Sequence, residues 1–180
     1  KFKFQINLSF IKMNILGITL FTHDSSATLI KGEKIVGCCE EERFTREKHT
    51  SNFPAESIKH LLSEGKIESN KINQVVVPYL PMKSYLSRIL FCLVNNKSIN
   101  ATIKAIYGDL ILFFRIKKRI KSLFERHNLK LSSDCQITCF EHHLAHAASA
   151  YYVSNFKDAV IITWDGRGEW PCLTVSKTKN

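Results

Sequence analysis

Val160-Ile161-Ile162-Thr163-Trp164-Asp165-Gly166-Arg167-Gly168 reads as an apolar strand ending in an acidic, glycine-rich turn. The chain opens on the same pattern, where Ile15-Leu16-Gly17-Ile18 leads into His23-Asp24-Ser25. In both places another short strand follows the turn. The sequence therefore builds one unit and then begins a second that starts in the same way.

The elements between these two points are legible from periodicity. Ile15 to Phe21 is a buried strand, and Ala27 to Ile30 a second. Lys31-Gly32-Glu33 is a tight turn, and Lys34 to Cys39 a third strand, which completes a meander. Pro54 opens a helix with Ile58, Leu61 and Leu62 on its apolar face and Gly65 near its end. Asn73 to Val77 is a fourth strand, closed by Pro78 and Pro81. Lys83 to Leu129 is helical, in two or more pieces broken near Asn95-Asn96 and Gly108. Ile111, Leu112, Phe113 and Phe114 give it a packing face, and Lys117 to Lys121 a solvated stripe. Gln136 to Phe140 is a fifth strand feeding a helix at His142, and Asp158 to Trp164 is a sixth. Cys172 to Ser176 is strand-like again.

This order predicts an α/β fold: one ribonuclease-H-like half domain with a helical insertion, then the first hairpin of a second half. The expected organisation is a lobe over 13–155 with its insertion at about 83–130, and a truncated second lobe over 156–180. Residues 1–12 read as an upstream extension, with Met13 the natural start. Folds of this kind bind nucleotides or activated phosphate compounds between their halves, through backbone amides and small residues of the hairpin turns.

Composition narrows the classes. The chain has 180 residues, with 26 Lys and Arg against 16 Asp and Glu, a formal charge of +10. Much of the excess is local. Lys104, Arg115, Lys117, Lys118, Arg119, Lys121 and Arg126 are offset in their segment only by Asp109 and Glu125. A basic helix can bind nucleic acid or a membrane surface, but a solvated charged face is the expectation here. The six cysteines form no CxxC and no disulfide framework, which suits reduced thiols in the cytoplasm. The first twelve residues lack a secretory h-region, and no apolar run is long enough to span a bilayer.

One motif carries chemistry. In His142-His143-Leu144-Ala145-His146-Ala147-Ala148-Ser149-Ala150, His142 and His146 are four residues apart. On a helix they stack on one face about one turn apart. A carboxylate from the tip of the next strand would complete a three-point site suited to iron, manganese or zinc. Helix-start histidines also serve as caps or surface groups, so the spacing alone leaves both readings open.

Taken in order, four blocks resemble the amino-terminal part of the O-carbamoyltransferase family, which includes nodulation protein U and antibiotic carbamoyltransferases. They are Ile15-Leu16-Gly17-Ile18 with His23-Asp24-Ser25-Ser26-Ala27; Glu40-Glu41-Glu42-Arg43-Phe44-Thr45-Arg46 with Lys48-His49; His142 to Ala150; and Asp165-Gly166-Arg167-Gly168-Glu169-Trp170. Together they span Met13 to Val175.

The resemblance implies an actin-like, two-lobed transferase domain followed by a separate adenylate-forming domain. There carbamoyl phosphate and ATP give carbamoyl-adenylate, and the transferase domain passes the carbamoyl group to a hydroxyl of a small-molecule acceptor. By the same match His142, His146 and Asp165 are ligands of a divalent metal, with iron expected. His23 and Lys48 are the catalytic candidates, and Asp24, Ser25, Gly166 and Gly168 the substrate-binding ones. The 180 residues alone are expected to be inactive, because the second lobe and the adenylate-forming domain would lie outside them. Two other readings stand beside this one. The first is a tRNA threonylcarbamoyl transferase relative using the basic helix, although nucleic acid is not the expected partner. The second is a non-catalytic remnant or basic interaction module.

Overall fold

The structure, a computed structural model, describes residues 13–20, 23–80, 89–91, 94, 99–166 and 171–178, with the backbone alone at 99–102, 104–106, 108, 109, 112 and 113. The expected extension over 1–12, the break at Asn95-Asn96 and the candidate Gly168 lie outside the described residues.

The elements run β1 (Asn14–Thr19), β2 (Ser26–Lys31), β3 (Lys34–Glu40), α1 (Glu42–Thr45), α2 (Ala55–Gly65), a 3₁₀ turn (Ser69–Lys71), β4 (Gln74–Val77), α3 (Ile99–Arg126), β5 (Gln136–Cys139), α4 (His142–Tyr151), β6 (Val160–Trp164) and β7 (Leu173–Lys177). The fold is mixed α/β. A five-stranded sheet has the order β3-β2-β1-β4-β5, and β6 and β7 form a separate two-stranded sheet. The chain divides into two compact units, residues 1–77 with 117–138 and residues 78–116 with 139–180.

In the first unit β1 to β3 form the antiparallel meander, and β4 joins β1 in parallel, with Leu16 opposite Val75. Strand alternation sends Leu16 and Ile18, Ala27 and Leu29, and Val75 and Val77 to one buried set. Ile58, Leu61 and Leu62 of α2 meet it at helical spacing. Two glycines let the helix come close. A Cβ at Gly37 would stand 2.9 Å from Leu61 Cδ2, and one at Gly65 would stand 3.0 Å from Leu29 Cδ2. Gly65 thus serves close approach rather than the helix stop. The left-handed capping residue is Lys66, at φ 49. Lys31 Nζ donates to the Gly65 carbonyl at 3.0 Å, a cation at the helix C-terminus.

Glu41 fixes the other end of α2. Its carboxylate is 2% exposed and accepts the backbone N–H groups of Glu56 (3.1 Å) and Ser57 (2.9 Å). It thereby satisfies two of the orphan donors at the helix start.

The insertion corrects two expectations. α3 runs unbroken through Gly108. A lone glycine costs a helix only about 1 kcal/mol, which the length and packing of α3 outweigh. Its buried stripe is Ile116, Ile120 and Phe124, all at or below 2% exposure, while Ile111 is 38% and Phe114 74% exposed. The run Ile111 to Phe114 covers a full helical turn, so it cannot form one face. Phe124 meets Phe53 edge-on at 5.0 Å. Among the described residues, no helix is long and apolar enough to cross a membrane.

In the second unit α4 lies on the hairpin of β6 and β7, which pair in register from Val160–Lys177 to Trp164–Leu173. Thr163 is buried on one face of the hairpin. On the other, Val160, Ile162, Trp164, Leu173 and Val175 are more than half exposed.

Candidate metal centre

The helical spacing of His142 and His146 brings their rings to 4.5 Å between centroids, with Nε2 facing Nε2 at 3.0 Å. β6 delivers Asp165 to the same point. Its Oδ2 is 2.6 Å from His142 Nε2 and 3.4 Å from His146 Nε2. The donor atoms of all three residues lie within 4.8 Å of one another. One Nε2 proton cannot serve three such contacts in line, since each ring nitrogen carries a hydrogen or a lone pair but not both. A cation seated above the plane of the three donor atoms would satisfy all three. Ligands at right angles on bonds of about 2.1 Å stand about 3.0 Å apart, which is the spacing of this group.

His143, between the two, is 1% exposed and anchors the helix. Its Nε2–H donates to the Pro171 carbonyl at 2.6 Å, so in the neutral ring Nδ1 is an acceptor. The Thr163 hydroxyl then donates to Nδ1 at 2.6 Å and accepts from Thr174 at 2.7 Å. This chain ties α4 to both strands of the hairpin. The rotation of the helix that aims His142 and His146 at Asp165 follows from it.

A second cluster sits in the first unit, at the turn after β1. The Asp24 carboxylate takes His23 Nδ1 at 2.5 Å and His49 Nδ1 at 2.8 Å. Glu42 accepts the His49 backbone N–H at 3.1 Å. The two histidine hydrogen bonds, His23 first, hold the Asp24 carboxyl below its ordinary range. Asp24 (φ 60) and His49 (φ 55) are both in the left-handed region, a conformation that non-glycine residues adopt at some cost. Asp24, Glu42 and His49 offer a further three donor atoms within 4.8 Å. Neither cluster includes a cysteine, and no disulfide joins Cys38, Cys39, Cys135, Cys139 or Cys172.

Lys48 is exposed. Ser25 is 1% exposed, its N–H bonded to the Thr50 carbonyl and its carbonyl accepting from Glu41. Gly166 is exposed, and a Cβ there would meet nothing within 4 Å. His49, Glu42 and His143 were not singled out from sequence. His49 stood in a recognised block, but only the left-handed backbone swings its ring onto Asp24. Arg43 pairs with Glu40 at 3.1 Å, so each glutamate of the Glu40 to Glu42 run has its own partner.

The family description "Carbamoyltransferase N-terminus" matches residues 14–179. The chain belongs to this family. The resemblance carried by the four blocks is thereby borne out. An uncharacterized protein of Synechocystis sp., sll1178, is 34% identical over 162 residues, 87% of this chain and 26% of that protein. Nodulation protein NolNO of Sinorhizobium fredii is 27% identical over 164 residues, 91% of this chain and 22% of its own length. The chain thus spans about a quarter of the length of the curated relatives it matches. Among solved structures, YeaZ from Pseudomonas aeruginosa aligns over 92% of this carbamoyltransferase-family chain and 66% of its own. The TM-score is 0.37 and the identity 9%, which does not by itself assign a fold.

Proposed function

We propose that this chain is the amino-terminal part of a metal-dependent carbamoyltransferase, which moves a carbamoyl group from carbamoyl-adenylate to a hydroxyl of a small-molecule or sugar acceptor. The observation behind the reading is the convergence of His142 Nε2, His146 Nε2 and the Asp165 carboxylate in a member of the carbamoyltransferase family. Two imidazoles and a carboxylate suit a divalent transition metal. Iron is our assignment, with zinc and manganese compatible with the same donors. Such an ion supplies Lewis acidity toward phosphate or hydroxyl oxygens.

Carbamoyl-adenylate is a mixed anhydride, so its phosphate leaving group needs little protonation. The remaining work is to place the acceptor hydroxyl, take its proton and stabilise the charge that develops on the carbamoyl oxygen. We assign proton transfer to His23. With Nδ1 held by Asp24, the basic nitrogen of the neutral ring is Nε2. Lys48 is assigned to the phosphate or the carbamoyl oxygen, and the turns at Asp24-Ser25 and at Gly166 and Gly168 to substrate binding.

In this reading residues 13–155 form an actin-like, ribonuclease-H-like half with its helical insertion at about 83–130, and residues 156–180 begin its twin. ATP and carbamoyl phosphate are co-substrates of an adenylate-forming domain in the longer protein. The 180 residues alone then have little or no transferase activity.

Elemental analysis of protein purified without chelator tests the centre. Bound iron, zinc or manganese falls to background in His142→Ala and His146→Ala. Unchanged metal content in both variants would refute the site.

A further inference from the structure

The basic end of α3 has no part in this chemistry, yet it lines a cavity of about 750 Å³. Lys117, Lys118, Lys121 and Glu125 form one wall, and Cys135 and Ile137 belong to the opposite side. Cys135 and Ile137 are only 6% and 5% exposed, so they make a closed floor. Lys117 and Lys121 are one helical turn apart, a spacing at which like charges repel. Among the described residues none of the three ammonium groups has a hydrogen bond or an ion pair, and Glu125 is the one carboxylate on the wall.

β5 is an edge strand of the sheet. The Gln136 N–H is used toward the Asn73 carbonyl, so strand alternation turns the next amide, that of Ile137, toward the open edge. Three ammonium groups line the cavity against a single carboxylate.

We propose that this cavity binds a multiply charged, phosphate-bearing small molecule through Lys117, Lys118 and Lys121. The volume lies within the ~300–1,000 Å³ of small-molecule sites. Lysine is a point-charge binder of phosphate. No aromatic ring lines the cavity among the described residues, so it offers no platform for stacking the bases of a nucleic acid strand. The inference is independent of the carbamoyl reading, since every residue in it lies within 117–138.

Calorimetric titration of the 180-residue protein with sodium tripolyphosphate at low salt is the test, with ATP as a parallel titrant. The expected result is one saturable site that weakens with added salt. The triple variant K117Q/K118Q/K121Q loses on the order of 100-fold in affinity, as expected for removing charge-assisted contacts. All three positions are exposed, so its circular dichroism is unchanged. Glu125→Gln removes the opposing carboxylate and tightens binding several-fold. Equal affinity for ATP and tripolyphosphate means the phosphate chain alone is recognised, and tighter ATP binding means a nucleotide is its source; both support the site. Absence of saturable binding, or equal affinity in the triple variant, overturns it. An RNA oligonucleotide that binds and is not displaced by tripolyphosphate also overturns it.

Discussion

His142 and Asp165 are 23 residues apart in sequence and meet at 2.6 Å, with His146 Nε2 3.0 Å from the same imidazole nitrogen. Helix α4 and strand β6 each contribute what the other lacks. The helix sets two nitrogens on one face, and the strand supplies the anion that the proposed cation site requires. Asp165→Asn keeps the shape and removes the charge. Metal affinity is expected to fall by more than the ~10–100-fold typical of an outer-shell change, read by metal content after dialysis. Retention of full metal content would count against Asp165 as a ligand.

His143 is the buried partner of this arrangement. His143→Leu takes the acceptor from the Thr163 hydroxyl, which keeps Thr174, and the donor from the half-buried Pro171 carbonyl, a loss of roughly 1–3 kcal/mol in all. Thermal unfolding should move down accordingly, and His143→Gln, which keeps a donor and an acceptor, should recover part of the loss. Metal binding should weaken in the leucine variant although no ligand has changed.

Glu41 caps α2 from the end of the meander, through the Glu56 and Ser57 amides. Glu41→Ala should destabilise by about 2 kcal/mol, the upper end of capping losses, because the cap is buried. Urea unfolding measures it. A loss below a few tenths would mean that water replaces the carboxylate there.

The Asp24 carboxyl is held down by its two histidine partners. A depressed carboxylate contributes stability above its unfolded value, ordinarily about 3.8, and loses it as the pH falls through the lower folded value. The carboxyl carbon resonance of Asp24 should therefore titrate with a midpoint below 3.8. Since Asp24 is solvent-accessible, the expected signature is the midpoint and not a large change in stability.

Burial raises the thiols of Cys39 and Cys135 above their ordinary range. Residue-resolved alkylation at neutral pH should label exposed Cys38 and Cys172 well before Cys135, because the thiolate is the reacting form. Labelling of Cys135 at an equal rate would mean that the floor beneath Lys121 opens readily.

Whatever depends on local period or on one residue type is legible along the chain. Alternation of Leu16 with Ile18 and of Val75 with Val77 marked the strands. Ile58, Leu61 and Leu62 marked α2, and the four-residue spacing of His142 and His146 set both rings on one helix face. These follow from the periods of strand and helix, which each segment carries in its own order of residues. Which polar groups meet is set by the folded chain. Glu41 reaches its helix across 15 and 16 residues, and Asp24 reaches His49 across 25. His143 is a buried strut between two exposed-looking neighbours, and the packing stripe of α3 falls on Ile116, Ile120 and Phe124 rather than on the more apolar run before it. Hydrogen bonds and ion pairs act over about 3 Å and depend on direction, so they exist only once the backbone has brought the partners together. At Asp24 and His49 that includes a left-handed backbone no pattern announces. The proposed metal centre lies between the two cases: the helix period set its imidazole pair, the resemblance named Asp165, and only the fold fixed the distances among the three.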